Sequence, residues 1–196
     1  KLDLYAEPRG RIEHFFNNYS RTLKYEDGQS FLDTGCGRGQ NIKVLAKHFP
    51  NSTIRGFDIS EGALSVVKLG TQNQKQFHLE VGSLKDLNYL NQFSRNDFDH
   101  VLVSHVFSFI MSGGEAATHQ LRQQIIDKLI RISSKTVLIL DGPELLHLKE
   151  SSFKIEQLQR AVYAESIIRY FNKHLSHGEV SAIFSPESFG VLFQQN

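Results

Sequence analysis

The sequence predicts an α/β fold built on a doubly wound parallel sheet with helices on both faces. Three observations carry that prediction. Short β-rich runs alternate with longer segments of helical period. The fourth and fifth runs are almost wholly apolar, as strands covered on both faces are. A glycine-rich turn joins the first run to the helix after it.

Residues 11–23 read as a leading helix with aromatics on one face, and 30–34 as a buried first strand. The segment 39–49 is apolar at 42, 44, 45, 46 and 49, a helix that Pro50 closes. Residues 53–57 form the second strand. Ser60 is a plausible N-cap for a helix that runs to about Leu69 and stops at Gly70. Strands follow at 76–81 and 98–103, then a long helix over 115–132 and a fifth strand at 136–140. After Asp141 the alternation breaks. Residues 145–175 are helical in composition, with Tyr163, Ile167, Tyr170 and Phe171 at helical spacing. Ser185 and Pro186 look like the start of a last helix over 187–194. The expected organisation is one domain: a cap helix in 1–29, a ligand-binding core in 30–141, a helical cap in 142–184 and a last helix in 185–196.

Composition narrows the function classes. A chain of 196 residues with 40% hydrophobic residues can bury its own core. Lys and Arg number 22 against 21 Asp and Glu, which gives no bulk electrostatic case for a polyanion partner. No apolar run reaches the ~18–20 residues of a membrane helix, and the start of the chain has no apolar signal-peptide core. The single cysteine, Cys36, cannot form an internal disulfide, so the expected setting is reducing and cytoplasmic.

The informative stretch is Asp33-Thr34-Gly35-Cys36-Gly37-Arg38-Gly39. A buried strand ends in an acid, and glycines at alternate positions then let the backbone turn sharply before a helix whose first N–H groups are free. The second strand also ends in an acid, Asp58, 19 residues after Gly39. At the tip of the second strand of such a sheet, a carboxylate lies beside the first turn and can accept both hydroxyls of a ribose.

On these residues the sequence resembles the class I S-adenosylmethionine-dependent methyltransferases, over about 11–141 and the last helix. Asp33, Gly35, Gly37 and Gly39 match the family's first motif, and Asp58 its second acidic position. The resemblance implies a Rossmann-like sheet of order 3-2-1-4-5, with S-adenosylmethionine across the carboxyl ends of the first two strands. It implies ribose hydroxyls on Asp58, Asp33 near the amino group, and Phe57 or Ile59 with Leu84 flanking the adenine. Where the family often has Gly-Asp after the third strand, this chain has Gly82-Ser83. Ser104 and His105 fall at the carboxyl end of the fourth strand, where such sheets bind ligands. His105 is a candidate general base or a pocket-lining residue. Family members carry a further antiparallel strand pair at the end, and its absence is expected here.

Other readings stand beside this one. A nicotinamide-dinucleotide domain shares the first strand–turn–helix, but its Gly-x-Gly-x-x-Gly spacing is one residue longer after Gly37. Cys36 is a small residue in a tight turn or a nucleophile at a helix start. Asp141 and Glu144 meet a substrate amine or hydroxyl, or are solvated turn acids. His174 and His177 lack an accompanying acid or cysteine cluster and read as a solvent-facing pair. Gly142 stands where metal-dependent relatives of the catechol type carry Asn, so no catalytic metal is expected. Tyr19 and Arg9 are the candidates from the leading segment to fold over the cofactor. The expected reaction is N- or O-methylation of a small-molecule or natural-product acceptor, with no membrane partner and nucleic acid disfavoured. The alternatives are a protein, peptide or RNA acceptor, aminopropyl transfer, or nucleotide binding without catalysis.

Overall fold

The structure, a computed structural model, describes residues 13, 16, 22–71, 76–141, 153–184 and 189–196. Seven strands form one sheet of order β3-β2-β1-β4-β5-β7-β6. In chain order the elements are β1 (Ser30–Thr34), α1 (Gln40–His48), β2 (Thr53–Asp58), α2 (Glu61–Thr71), β3 (Phe77–Val81) and α3 (Leu87–Leu90). There follow β4 (Phe98–Ser104), α4 (Glu115–Ile132), β5 (Ser133–Asp141), α5 (Phe153–Phe171), β6 (Gly178–Phe184) and β7 (Phe189–Gln195). Strands β1 to β5 pair in parallel. The chain steps from β1 to β2 on one side and returns to β4 on the other, so the carboxyl end of β1 is the topological switch point.

Alternation along each strand divides the core between the two faces of the sheet. Leu32, Phe57, Val101, Val103, Val137 and Ile139 face α4 and the second half of α5, where Ile125, Leu129, Ile167 and Phe171 cover them. Phe31, Ile54, Leu102 and Leu138 face the other way, onto Ile42 and Leu45 of α1 and Leu64 and Val67 of α2. Each such side chain, taken fully from water, contributes about 1.5–3 kcal/mol. Among the described residues no helix is long and apolar enough to cross a membrane.

The first five strands and the helix over 115–132 form where the sequence predicts them. Strand β5 is longer than expected, 133–141 rather than 136–140. The helical segment after β5 is present as α5, and Ala164, Ile167, Tyr170 and Phe171 pack it on the sheet. The end of the chain differs. The expected cap ends in a strand, β6, over 178–184, and the expected last helix is strand β7. The terminal antiparallel pair, expected to be absent, is therefore present. Val191 and Phe193 on one face of β7 and Leu192 on the other are fully buried. A segment buried on both faces over 190–193 gains more from pairing with β5 and β6 than from a short exposed helix. The proposed cap at Ser185 and the positions Tyr5, Arg9, Tyr19 and Arg21 lie outside the described residues.

The amino end of the sheet is closed by His100 on β4, 1% exposed. Its Nδ1 meets Thr136 Oγ1 at 2.8 Å and its Nε2 meets Gln29 Oε1 at 2.6 Å. The ring lies between Tyr25 and Phe31, at centroid separations of 4.2 and 5.0 Å. Burial pushes its pKa down to about 3, against the pull of the Asp99 carboxylate. An unfolded histidine binds its proton below about 6.5, whereas the fold excludes it until about 3. Stability contributed by His100 is therefore full above pH 6.5 and lost as pH falls toward 3, by up to ~1.4 kcal/mol per pH unit. Urea denaturation between pH 4.5 and 7 should show a smaller loss of stability on acidification for His100→Gln than for the wild type. Equal losses would remove His100 from the acid sensitivity of the fold.

Candidate functional site

The site is built on the turn between β1 and α1. Gly35, Gly37 and Gly39 all take the left-handed conformation, at φ 70, 51 and 75°, which costs an L side chain roughly 1–2 kcal/mol. Two of them are also places of close approach. A Cβ on Gly35 would stand 2.5 Å from Val106 Cγ2, in the loop after β4, and one on Gly39 2.7 Å from Val67 Cγ1 of α2. The end of β2 holds the turn: the N–H groups of Gly35 and Cys36 donate to the Phe57 carbonyl at 2.8 and 3.0 Å. Asp58 completes the hold, accepting from the Gly37 N–H on Oδ2 and the Ser60 N–H on Oδ1, each at 2.9 Å.

Asp33 is fully buried beneath the turn. Its Oδ1 accepts from Asn41 Nδ2 at 2.8 Å, while its Oδ2 has no hydrogen-bond partner. Burial raises its pKa to about 7, with Asn41 opposing and the nearby Asp58 charge adding. Cys36 is buried, and burial together with Asp33 and Asp58 pushes its thiol up, away from a nucleophilic thiolate. It fills the space over Gly56, where a Cβ would come within 3.1 Å of its Sγ.

Around the end of β3, Gly82 donates to the Asp58 carbonyl at 3.1 Å. A Cβ there would stand 2.2 Å from Tyr89 Cζ, so the missing side chain is what admits the Tyr89 ring. The Ser83 hydroxyl accepts the Lys85 N–H at 3.2 Å, a local turn bond. Leu84 is buried in the core. Phe57, expected as one candidate to flank the adenine, is fully buried instead, edge-on to Tyr89 at 5.0 Å. Ile59, one residue past β2, is 73% exposed beside the turn.

The other side of the switch point is formed after β4. Ser104 and His105 stand at its carboxyl end, and His105 is left-handed at φ 54°, with its N–H donating to the Leu140 carbonyl at 2.8 Å. The following loop is held from below. Arg122 of α4 donates to the Ile110 carbonyl at 2.9 Å and the Ser108 carbonyl at 3.1 Å. Asp141 accepts the Ser108 N–H at 3.2 Å and the Tyr163 hydroxyl at 3.3 Å. It is thus a buried anchor rather than a solvated turn acid. The loop presents Phe109 and Met111 outward, both more than half exposed. His174 does not face solvent with His177 as expected: its Nε2 meets Asp127 Oδ1 at 2.9 Å. Glu144 lies outside the described residues.

Asn41, Val106, Tyr89 and Arg122 are site residues that sequence reasoning missed. Only Asn41 carried a local signal, a polar residue eight positions after Asp33 on the buried side of a helix.

Residues 31–125 match the family described as a methyltransferase domain. Over those residues the chain is similar to a methyltransferase domain. Malonyl-[acyl-carrier protein] O-methyltransferase of Priestia megaterium is 26% identical over 91 residues, 46% of this chain and 33% of that protein. The chain spans between about a fifth and a half of the length of the curated relatives it matches. The domain also shares its fold with an S-adenosylmethionine-dependent methyltransferase from Aquifex aeolicus. That likeness has a TM-score of 0.65 at 15% identity and covers 97% of this chain and 94% of that one. A plantazolicin methyltransferase solved with S-adenosylhomocysteine and a triazolic desmethylPZN analogue gives a TM-score of 0.65 at 18% identity, over 94% of this chain and 83% of that one.

The geometry of the turn makes a stability prediction. Gly35→Ala adds a left-handed strain and a contact with Val106, together about 2–4 kcal/mol. Adding Val106→Ala should recover the contact but not the strain, so the double variant should fall between the two in chemical denaturation. A Gly35→Ala protein as stable as the wild type would contradict the described turn.

Proposed function

We propose that this chain is an S-adenosylmethionine-dependent methyltransferase whose cofactor lies over the glycine turn, with Asp58 taking the ribose hydroxyls and Asp33 meeting the amino-acid end. The observation that carries the reading is the pair of acids that flank the turn at the start of α1, neither ion-paired among the described residues. Asp58 spends one acceptor position of each oxygen on backbone N–H groups and keeps the other for a ligand. Gly35, Gly37 and Gly39 let the methionine portion pass close to the backbone. Ile59 is offered as the apolar flank of the adenine, with Gly82, Ser83 and Leu84 at the far side and Cys36 as a small filler beneath. Ser104 and His105 border the methyl side, and His105 is the proposed base where the acceptor must lose a proton.

The cofactor supplies an electrophilic methyl group, so the work of this chain is to hold an acceptor in line with it and to keep water away. Support for a small-molecule or natural-product acceptor comes from the near-balanced charge of the chain and from the apolar Phe109 and Met111 beside the methyl side. An RNA track would be lined by lysine and arginine with stacking aromatics. The cap over the acceptor, expected in 142–184, belongs to the same proposal. So does a reducing, cytoplasmic setting, on the strength of the lone buried thiol.

Two measurements test this reading. Each charge-assisted bond from a carboxylate to a hydroxyl is worth about 1.5–3 kcal/mol, so Asp58→Ala should weaken S-adenosylhomocysteine binding at least about tenfold in calorimetry. Unchanged affinity would take Asp58 out of the site. With methyl-labelled cofactor and a fractionated cell extract, label should enter the small-molecule fraction. Label in protein or RNA would redirect the acceptor assignment, and label retained on a thioether by-product would indicate aminopropyl transfer.

A further inference from the structure

The unresolved chemistry of the site lies in Asp33. It is fully buried, it takes a single hydrogen bond from a neutral amide, and its second oxygen has no donor at all. No cation pairs with it among the described residues. Of the groups that face it, only the Asn41 amide favours ionisation. Asp58, from the end of β2, adds a second negative charge; Cys36, from the turn, brings a thiol that stays protonated; and α1 brings only the amide of Asn41. Its register partners, Gly56 on β2 and Leu102 on β4, bring no charge. A carboxylate so placed lacks the counter-charge and donors that offset its loss of water, and the neutral acid is the form such a place holds.

We propose that Asp33 is a neutral acid in the free protein and gives up its proton when the cationic amino group of the cofactor binds, which makes cofactor binding proton-coupled. This rests on the methyltransferase reading above. In the step, the O–H bond of the Asp33 carboxyl breaks, the proton passes to the buffer, and the carboxylate left behind pairs with the ammonium. Ligand and protein reach neutrality together: the ammonium is the counter-charge that the buried acid lacks. The direction of the Asp33 titration agrees, since burial places it at about 7. The sign follows: below that value binding must expel a proton and is weakened, and above it the carboxylate is already formed.

The test is calorimetry of S-adenosylhomocysteine binding at fixed pH in two buffers of different ionisation enthalpy, which counts protons exchanged. At pH 6.5 the expected release is roughly three-quarters of a proton per site, falling to about a tenth at pH 8, as for an acid titrating near 7. Affinity should rise on the order of twentyfold from pH 5.5 to 7.5. Asp33→Asn should bind with no proton release and a flat pH profile. If that variant does not fold, infrared difference spectra of the wild type carry the test: the carbonyl stretch of a protonated carboxyl, present at pH 6.5, should vanish on saturation with S-adenosylhomocysteine. Binding without proton release, or without loss of that band, would overturn this proposal and leave the methyltransferase reading intact. Absence of binding at every pH would overturn both.

Discussion

The candidate site depends on the attachment of the glycine turn to the end of β2. One carbonyl, that of Phe57, takes two N–H groups of the turn, and one carboxylate, that of Asp58, takes a third. A backbone in the left-handed region three times within five residues has little intrinsic preference for its shape. Without these bonds the turn would sample many forms, and the entropy of that freedom would have to be lost whenever a ligand bound. With them, the strand that anchors the turn also supplies the acid beside it. Asp58 thus ties the turn to the sheet and, in the proposed function, offers its remaining lone pairs to the ligand. Val106 and Val67 occupy the spaces that the missing Cβ atoms leave, so the loop after β4 and helix α2 touch the turn directly. Three elements far apart in sequence meet at one strand end.

The two sides of the switch point are made rigid by different means. On the β2 side the polar bonds run through backbone. On the β4 side side chains from α4 and β5 hold a loop: Arg122 takes two of its carbonyls and lays its guanidinium over the Phe107 ring at 5.3 Å, while Asp141 takes one of its N–H groups. That division suits the proposed chemistry. Phe109 and Met111 are carried outward on the loop because Phe107 and Ile110 are buried beneath them.

The glycine turn and the two acids beside it were legible in the sequence because their determinants are local. An acid, three spaced glycines and a second acid at the next strand end are turn chemistry, and turn chemistry is written within a few residues. The packing partners were not legible, since Val106, Tyr89 and Arg122 reach the site through the sheet order. Phe57 and Ile59 show the same limit. They have the same side-chain parity, yet Phe57 lies within the strand and goes to the core, while Ile59 lies one residue past its end and stays exposed. The last element was misread for a related reason. Ser185-Pro186 imitates a helix start, and the short, mostly apolar run 189–193 fits either period. What decides it is the open edge of β5, which needs a partner and finds one in β7. The alternation of Val180 and Ala182 with Glu179 and Ser181 in β6 was the signal available for the pair.

A crystal structure of the chain with S-adenosylhomocysteine tests the central claim most directly. The account places the ribose hydroxyls within hydrogen-bonding distance of Asp58 and the amino-acid end over Gly35 and Gly37 toward Asp33, with the turn unmoved. A ligand bound away from the carboxyl ends of β1 and β2, or a turn released from the Phe57 carbonyl to admit it, would contradict that account.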